Sequence, residues 1–298
     1  MSSKESQLAT ETPLTPLVEI ERFCRVFGNP NLLIKDESRN PYGTWKDRRS
    51  RIIAKQVRKE KPDKVVLITA GNAGYSLVRF LKDSGVMTVL IVDKRTSETI
   101  KEKLQELRIY FPCRVVERDL SEKLSAAEID EIAQKSRKEK IWNVTHGFEE
   151  AYEVIIDEIL QETNGVPPGS IICPIGQGEG FIGLARGIKK HALHDTILIG
   201  VEAVPKADGY SITDTLIFRH QTPYRETLKN IFREGRGVIP VDEEEIGKAY
   251  QFAKAHVACK PSSAVVFAAA AKVNWPFVCG NVSPERKSIL INSGKGLQ

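Results

Sequence analysis

From Val65 onward the chain alternates short apolar runs with longer amphipathic ones, and this alternation narrows the possible folds more than any other feature. Val65-Val66-Leu67-Ile68-Thr69 has the nearly unbroken apolar character of a strand covered on both faces. Residues 73–84 follow as a helical run that Gly85 stops. Residues 87–92 and 114–116 read as strands, with a helix over 97–108 between them. Ser125 with Glu128 spells a capping box. The pattern then resumes. A helix over 149–162 leads through a turn rich in Gly and Pro (Gly165, Pro167, Pro168, Gly169) to a strand over 171–175, a helix over 181–191 and a strand over 197–201. Asp242 with Glu245 caps a further helix, and residues 289–291 form a last strand. Such alternation implies parallel sheets with helices on both faces. The class is α/β, in two lobes split near residue 145. Residues 1 to about 12 are polar and read as loose.

In folds of this class ligands bind beyond the carboxyl ends of the strands. Gly176-Gln177-Gly178-Glu179-Gly180 begins at such an end and opens a helix. Glycines there let the backbone approach a ligand, and the free amides of a helix start face an anion. The run is a phosphate cup in form. It is neither a G-x-G-x-x-G fingerprint, because Phe181 holds the sixth position, nor a Walker loop. Thr69-Ala70-Gly71-Asn72-Ala73-Gly74 occupies a second strand end, where the Asn72 amide is placed to bond a cofactor hydroxyl. Ser293, in Asn292-Ser293-Gly294-Lys295-Gly296, occupies a third. Upstream, Lys46 lies in Asn40-Pro41-Tyr42-Gly43-Thr44-Trp45-Lys46-Asp47-Arg48, where a strand breaks through a turn into a helix. Burial there lowers an amine's pKa, and a neutral amine forms Schiff bases. Taken singly, each feature has an ordinary explanation: a solvated lysine, a tight glycine turn, a capping asparagine, a polar loop serine. A nucleotide-binding α/β protein remains a rival on these residues alone.

Taken in order, these segments resemble the fold-type II enzymes that use pyridoxal 5'-phosphate (PLP), and the resemblance spans almost the whole chain. Lys35-Asp36-Glu37 through Lys46-Asp47-Arg48 is similar to that family's lysine segment, and Pro261-Ser262-Ser263-Ala264 to a late family segment. Within the family the lysine segment and Ser293-Gly294-Lys295-Gly296-Leu297 look most like threonine synthase. The resemblance implies two three-layer α/β/α lobes. One is residues 37–145; the other is residues 1–36 together with 146–298. It implies that Lys46 is catalytic and holds PLP. It further implies that Asn72 meets the cofactor's 3'-oxygen, that Gly176, Gln177, Gly178, Glu179 and Gly180 hold the phosphate, and that Ser293 faces the pyridine nitrogen. The activity implied is that of a carbon–oxygen lyase of amino-acid biosynthesis, working by β/γ-elimination or replacement on a small amino acid. The threonine-synthase reaction on O-phosphohomoserine leads. Serine/threonine dehydratase, cysteine-synthase-like replacement and a silent PLP-binding homologue are the alternatives. A homodimer is implied as well.

Several residues depart from the family's pattern. Ala70 and Ala73 stand where relatives place hydroxyls that grip the substrate carboxylate, leaving Thr69, Gly71 and backbone amides for that work. Arg49 and Glu179 each replace a usual glycine, and Tyr75 replaces a small residue. Glu179 either turns its side chain to solvent or points inward and weakens phosphate binding, and Arg49 is available for a substrate phosphate.

The remaining composition excludes more than it adds. At 298 residues, 41% hydrophobic and 28% charged, the chain is an ordinary globular one with a real core. Its net charge of +5 suits an anionic small substrate. Nine Lys/Arg between residues 46 and 64 are read as mostly the solvated face of one helix, because Ile52, Ile53 and Val57 form its apolar side. No nucleic acid or membrane partner is expected. Five scattered cysteines (Cys24, Cys113, Cys173, Cys259, Cys279) suggest reduced thiols and a cytoplasmic setting, and the start lacks an apolar signal core. No metal is expected. His191 and His194 lack companion ligands, and His256 and Cys259 are read as packing residues sharing a helix face.

Overall fold

The computed structural model describes residues 15–206, 211–213, 216, 222–233, 237–275 and 286–297. In chain order its first strands are β1 (Leu17–Val18), β2 (Leu32–Asp36), β3 (Lys64–Ile68), β4 (Met87–Asp93), β5 (Cys113–Arg118) and β6 (Ile141–Asn143). They are followed by β7 (Ser170–Pro174), β8 (Ile197–Val204), β9 (Gly237–Asp242) and β10 (Ser288–Asn292). The smaller sheet has the order β5-β4-β3-β6 and is parallel throughout. The larger has the order β1-β2-β10-β7-β8-β9 and is parallel except where β1 meets β2. Both β7 and β10 are buried along their full length, which is why they read as unbroken apolar runs.

The helices are α1 (Glu21–Phe27), α2 (Lys46–Glu60), α3 (Asn72–Phe80), α4 (Glu98–Tyr110) and α5 (Ala126–Ile132). After them come α6 (Glu150–Glu162), α7 (Glu179–Lys190), α8 (Arg225–Arg233), α9 (Glu243–Ala253) and α10 (Pro261–Ala270). Four apolar clusters fill the interior. The cluster around Phe23, Phe267 and Val265 and the one around Tyr152, Ile155 and Ile182 are the largest. Capping boxes are present at both expected places, Ser125/Glu128 and Asp242/Glu245.

Some boundaries move. The helix expected to run to residue 84 ends at Phe80, because Ser84 Oγ donates to Leu81 O and accepts from Val86 N, bending the chain before Gly85. The alternation does not mark β6, β9 or α10. β9 is a mostly exposed edge carrying Pro240, and α10 is apolar on every side and buried from Ser262 to Ala270, so it shows no face. The expectation for residues 1 to about 12 falls outside the described residues, as does Cys279.

The cations of α2 also need correction. Lys55, Arg58, Lys59 and Lys61 do face solvent, but Arg48 and Arg49 are buried. Arg48 Nε lies 2.7 Å from Glu37 Oε2, and its Nη1 lies 2.7 Å from Glu158 Oε1. Lys35 Nζ joins the same cluster, 3.0 Å from Glu158 Oε2 and 2.7 Å from Glu162 Oε1. This network fastens the first turn of α2 to the end of β2 and to α6. Among the described residues no helix is long and apolar enough to cross a membrane.

Candidate active site

The carboxyl ends of the strands surround a cleft of about 770 Å³. Every site residue expected from the sequence lines it: Lys46, the loop 69–73, the loop 176–180 and Ser293. Arg49 lines it too, as do Trp45, Lys260 and Ser262, which had not been singled out as site residues.

Lys46 is the first residue of α2, and its backbone N–H donates to Thr44 Oγ1 at 3.3 Å. Its Nζ lies 3.3 Å from Tyr152 Oη and 5.7 and 5.6 Å from the ring centroids of Trp45 and Tyr152. Burial is the largest influence on this amine and pulls its pKa down from 10.5 to about 8; Arg49 adds to the drop, and the Glu179 carboxylate opposes it. Tyr152 is fully buried with its pKa well above the ordinary phenol value, so its hydroxyl stays neutral and accepts from the lysine. Nothing in the sequence distinguishes Tyr152 from the apolar residues that pack around it in α6.

In the second loop Gly71 adopts a φ of 124°. Thr69 Oγ1 accepts from the amides of Gly71 at 3.0 Å and Gly74 at 3.1 Å. Thr69 therefore shapes the loop with its oxygen instead of offering that oxygen to the cleft. The amides of Asn72 and Ala73 stand in the first turn of α3, where no intrahelical acceptor exists. Asn72 Oδ1 is buried without a hydrogen-bond partner.

The glycine loop is built for close approach. Gly178 has a φ of 103°, and a Cβ there would stand 2.8 Å from Leu228 Cδ1. A Cβ on Gly180 would stand 2.5 Å from Trp45 Cη2. The first amides of α7 open onto this loop. Gln177 O accepts from Thr222 Oγ1 at 2.8 Å. Glu179 does not turn to solvent: only 4% exposed, its Oε2 lies 2.9 Å from Arg49 Nη1, and its Oε1 accepts from Phe148 N at 3.3 Å. Arg49 is correspondingly engaged and is not a free cation for a substrate phosphate. Its Nη2 also donates to Val144 O and Thr145 O.

Ser293 Oγ lies 2.8 Å from Ser263 Oγ, which is itself 2.7 Å from Gly294 O. Trp45 N donates to Ser293 O at 3.1 Å, so the lysine segment and the serine loop are stitched together. Two of the histidines weighed from the sequence make their contacts elsewhere. His191 pairs with Asp157, and His256 stacks on Phe23 and Phe252 just past the end of α9, not on a helix face shared with Cys259.

The sequence model of the pyridoxal-phosphate dependent enzyme family matches residues 9–294, and the chain belongs to that family. Among individual proteins, it is 25% identical over 213 residues to the L-serine dehydratase of Dictyostelium discoideum, covering 65% of this chain and 59% of the relative. It thus spans less than two thirds of that relative's length. It is 21% identical over 311 residues to the threonine synthase of Methanocaldococcus jannaschii, covering 95% of this chain and 75% of the relative. The structure of maize serine racemase superposes with a TM-score of 0.75 at 18% identity, covering 99% of this chain and 92% of that one. These likenesses agree with the α/β fold of mostly parallel sheets.

The family's cofactor is PLP, and the residues present fit it. A low-pKa amine can bond its aldehyde, glycine positions that admit no Cβ can cradle its phosphate, and the orphaned Asn72 Oδ1 awaits a polar partner.

Proposed function

We propose that this protein is a PLP-dependent lyase that removes the β-hydroxyl of a small amino acid, serine or threonine. The carrying observation is the 2.9 Å contact of Arg49 with Glu179, which neutralises within the cleft wall the cation that a phosphorylated substrate would have used. When bound, PLP supplies an electron sink that acidifies the substrate's α-proton. Lys46 would hold the cofactor, and its Nζ would take that proton. A pKa of about 8 leaves a usable neutral fraction near neutrality, and Tyr152 Oη keeps the amine aimed. Asn72 orients the ring. The amides of Gly176, Gln177, Gly178, Glu179 and Gly180 hold the phosphate at the start of α7. Ser293 would offer a neutral hydroxyl to the ring nitrogen, which suits prompt elimination. The amides of Asn72 and Ala73 receive the substrate carboxylate in place of the hydroxyls absent at Ala70 and Ala73. The same reading divides the chain into lobes 37–145 and 1–36 with 146–298, and makes it a cytoplasmic homodimer.

A second reading, conversion of O-phosphohomoserine to threonine and phosphate, is favoured by the length of the match to the archaeal threonine synthase and by Lys260 in the cleft wall. The PLP-loaded protein is incubated with L-serine, L-threonine and O-phosphohomoserine in turn. Pyruvate or 2-oxobutyrate supports the first reading. Threonine with released phosphate replaces it with the second. A cofactor absorbance band that no amino acid moves, with no product, leaves a PLP-binding protein without turnover.

A further inference from the structure

We propose that Arg49 and Glu179 act as one unit that keeps the phosphate cup electrically open. Arg49 is a positioning residue that cancels and restrains a carboxylate built into the cup itself. The inference rests on the PLP reading and concerns two residues 130 positions apart that meet in space.

Glu179 is the first residue of α7, at the positive end of that helix and inside the phosphate loop. A phosphate dianion seeks the same amides. A free carboxylate at this place would repel it across a few ångströms of poorly solvated space. Arg49, one turn beyond Lys46, removes the conflict with a 2.9 Å contact between partners that are each only 4% exposed. The pair is also held sideways. Phe148 N donates to Glu179 Oε1, Arg49 donates to Val144 O and Thr145 O, and its guanidinium lies 5.3 Å from the Phe148 ring centroid. Residues 144–148 link β6 to α6, so the unit spans the start of α2, the crossing between the two sheets and the cup. Cation and anion together leave the cup's net charge unchanged. Either one alone would not.

The test is the dissociation constant of PLP, read by absorbance titration, together with the melting temperature of the cofactor-free protein. Four proteins are compared: unaltered, Arg49→Met, Glu179→Gln and the double variant. Arg49→Met is expected to weaken PLP binding at least about 30-fold, because it leaves a buried carboxylate facing the phosphate. Glu179→Gln is expected to lower the melting temperature while binding PLP as tightly or more tightly, since the guanidinium is then free for the phosphate. The double variant is expected to return to within about fivefold of the unaltered protein. A purely structural ion pair predicts otherwise: Glu179→Gln would lose affinity along with stability, and the double variant would not recover. Either result overturns the inference, and the Glu179→Gln comparison decides it even if Arg49→Met fails to fold. No PLP binding by the unaltered protein would overturn the cofactor reading and this inference with it. Binding that Arg49→Met leaves untouched would overturn only the inference.

Discussion

Replacing Lys46 with methionine is expected to stabilise the cofactor-free protein while abolishing turnover. Burial holds the amine's pKa near 8 against an ordinary 10.5, so at neutral pH the fold carries a charge it would rather expel. That difference is worth about 3 kcal/mol. Lys46 retains some exposure to the cleft, and solvent screening trims the expected gain to about 1–3 kcal/mol. For 298 residues the unfolding entropy is about 0.6 kcal/mol/K, so the melting temperature should rise by about 2–5 °C at pH 7. The pH dependence follows from proton counting. Between pH 8 and 10.5 the native protein binds fewer protons than the unfolded chain, so it gains stability through that window. Lys46→Met lacks this gain. Its advantage should therefore be full below pH 8, shrink by pH 9 and vanish above 10.5. Thermal melts of both cofactor-free proteins at pH 7, 9 and 10.5 check this. A variant that is less stable at pH 7, or an advantage that does not change with pH, would refute the view of Lys46 as a desolvated amine held ready for covalent chemistry.

Arg48→Met should cost about 3–5 kcal/mol in a denaturant titration, because Glu37 and Glu158 are left buried without their cation; a loss below about 1 kcal/mol would show the network to be slack. Gly180→Ala should cost about 1–3 kcal/mol and weaken PLP binding, since the new methyl displaces the Trp45 ring beside Lys46; unchanged affinity would mean the ring yields freely. Burial raises the Asp47 carboxyl to about 6, so the native state holds its proton more tightly than the unfolded chain between pH 3.8 and 6. Stability should fall by about 2–3 kcal/mol as pH rises through that window, and Asp47→Asn should flatten the slope; equal slopes would contradict the assignment. Asn72→Ala should weaken PLP binding about tenfold with little change in melting temperature, as its Oδ1 has no protein partner to lose.

Elements whose burial differs between faces, or which are buried throughout as short strands, were legible in the sequence. β3, β4, β7, β8 and β10 fall within a few residues of their apolar runs, and both capping boxes form. β9 escaped because a solvated edge has no apolar signature, and α10 because a helix buried on every side has no amphipathic stripe. The cleft residues were found because loops at strand ends betray themselves by glycine and asparagine. Tyr152 was not, since a buried tyrosine in a helix looks like core until its hydroxyl is seen beside an amine. The pairing of Arg49 with Glu179 was hidden for a related reason. An isolated charge is expected to seek water, and a partner 130 positions away is visible only once the chain is folded.

If Lys46 carries the cofactor, Lys260 in the same cleft offers a built-in control. The PLP-loaded protein is reduced with borohydride, digested, and its peptides mapped by mass. A phosphopyridoxyl group on Lys46 alone is expected. A label on Lys260, a label scattered over surface lysines, or no label at all would contradict it.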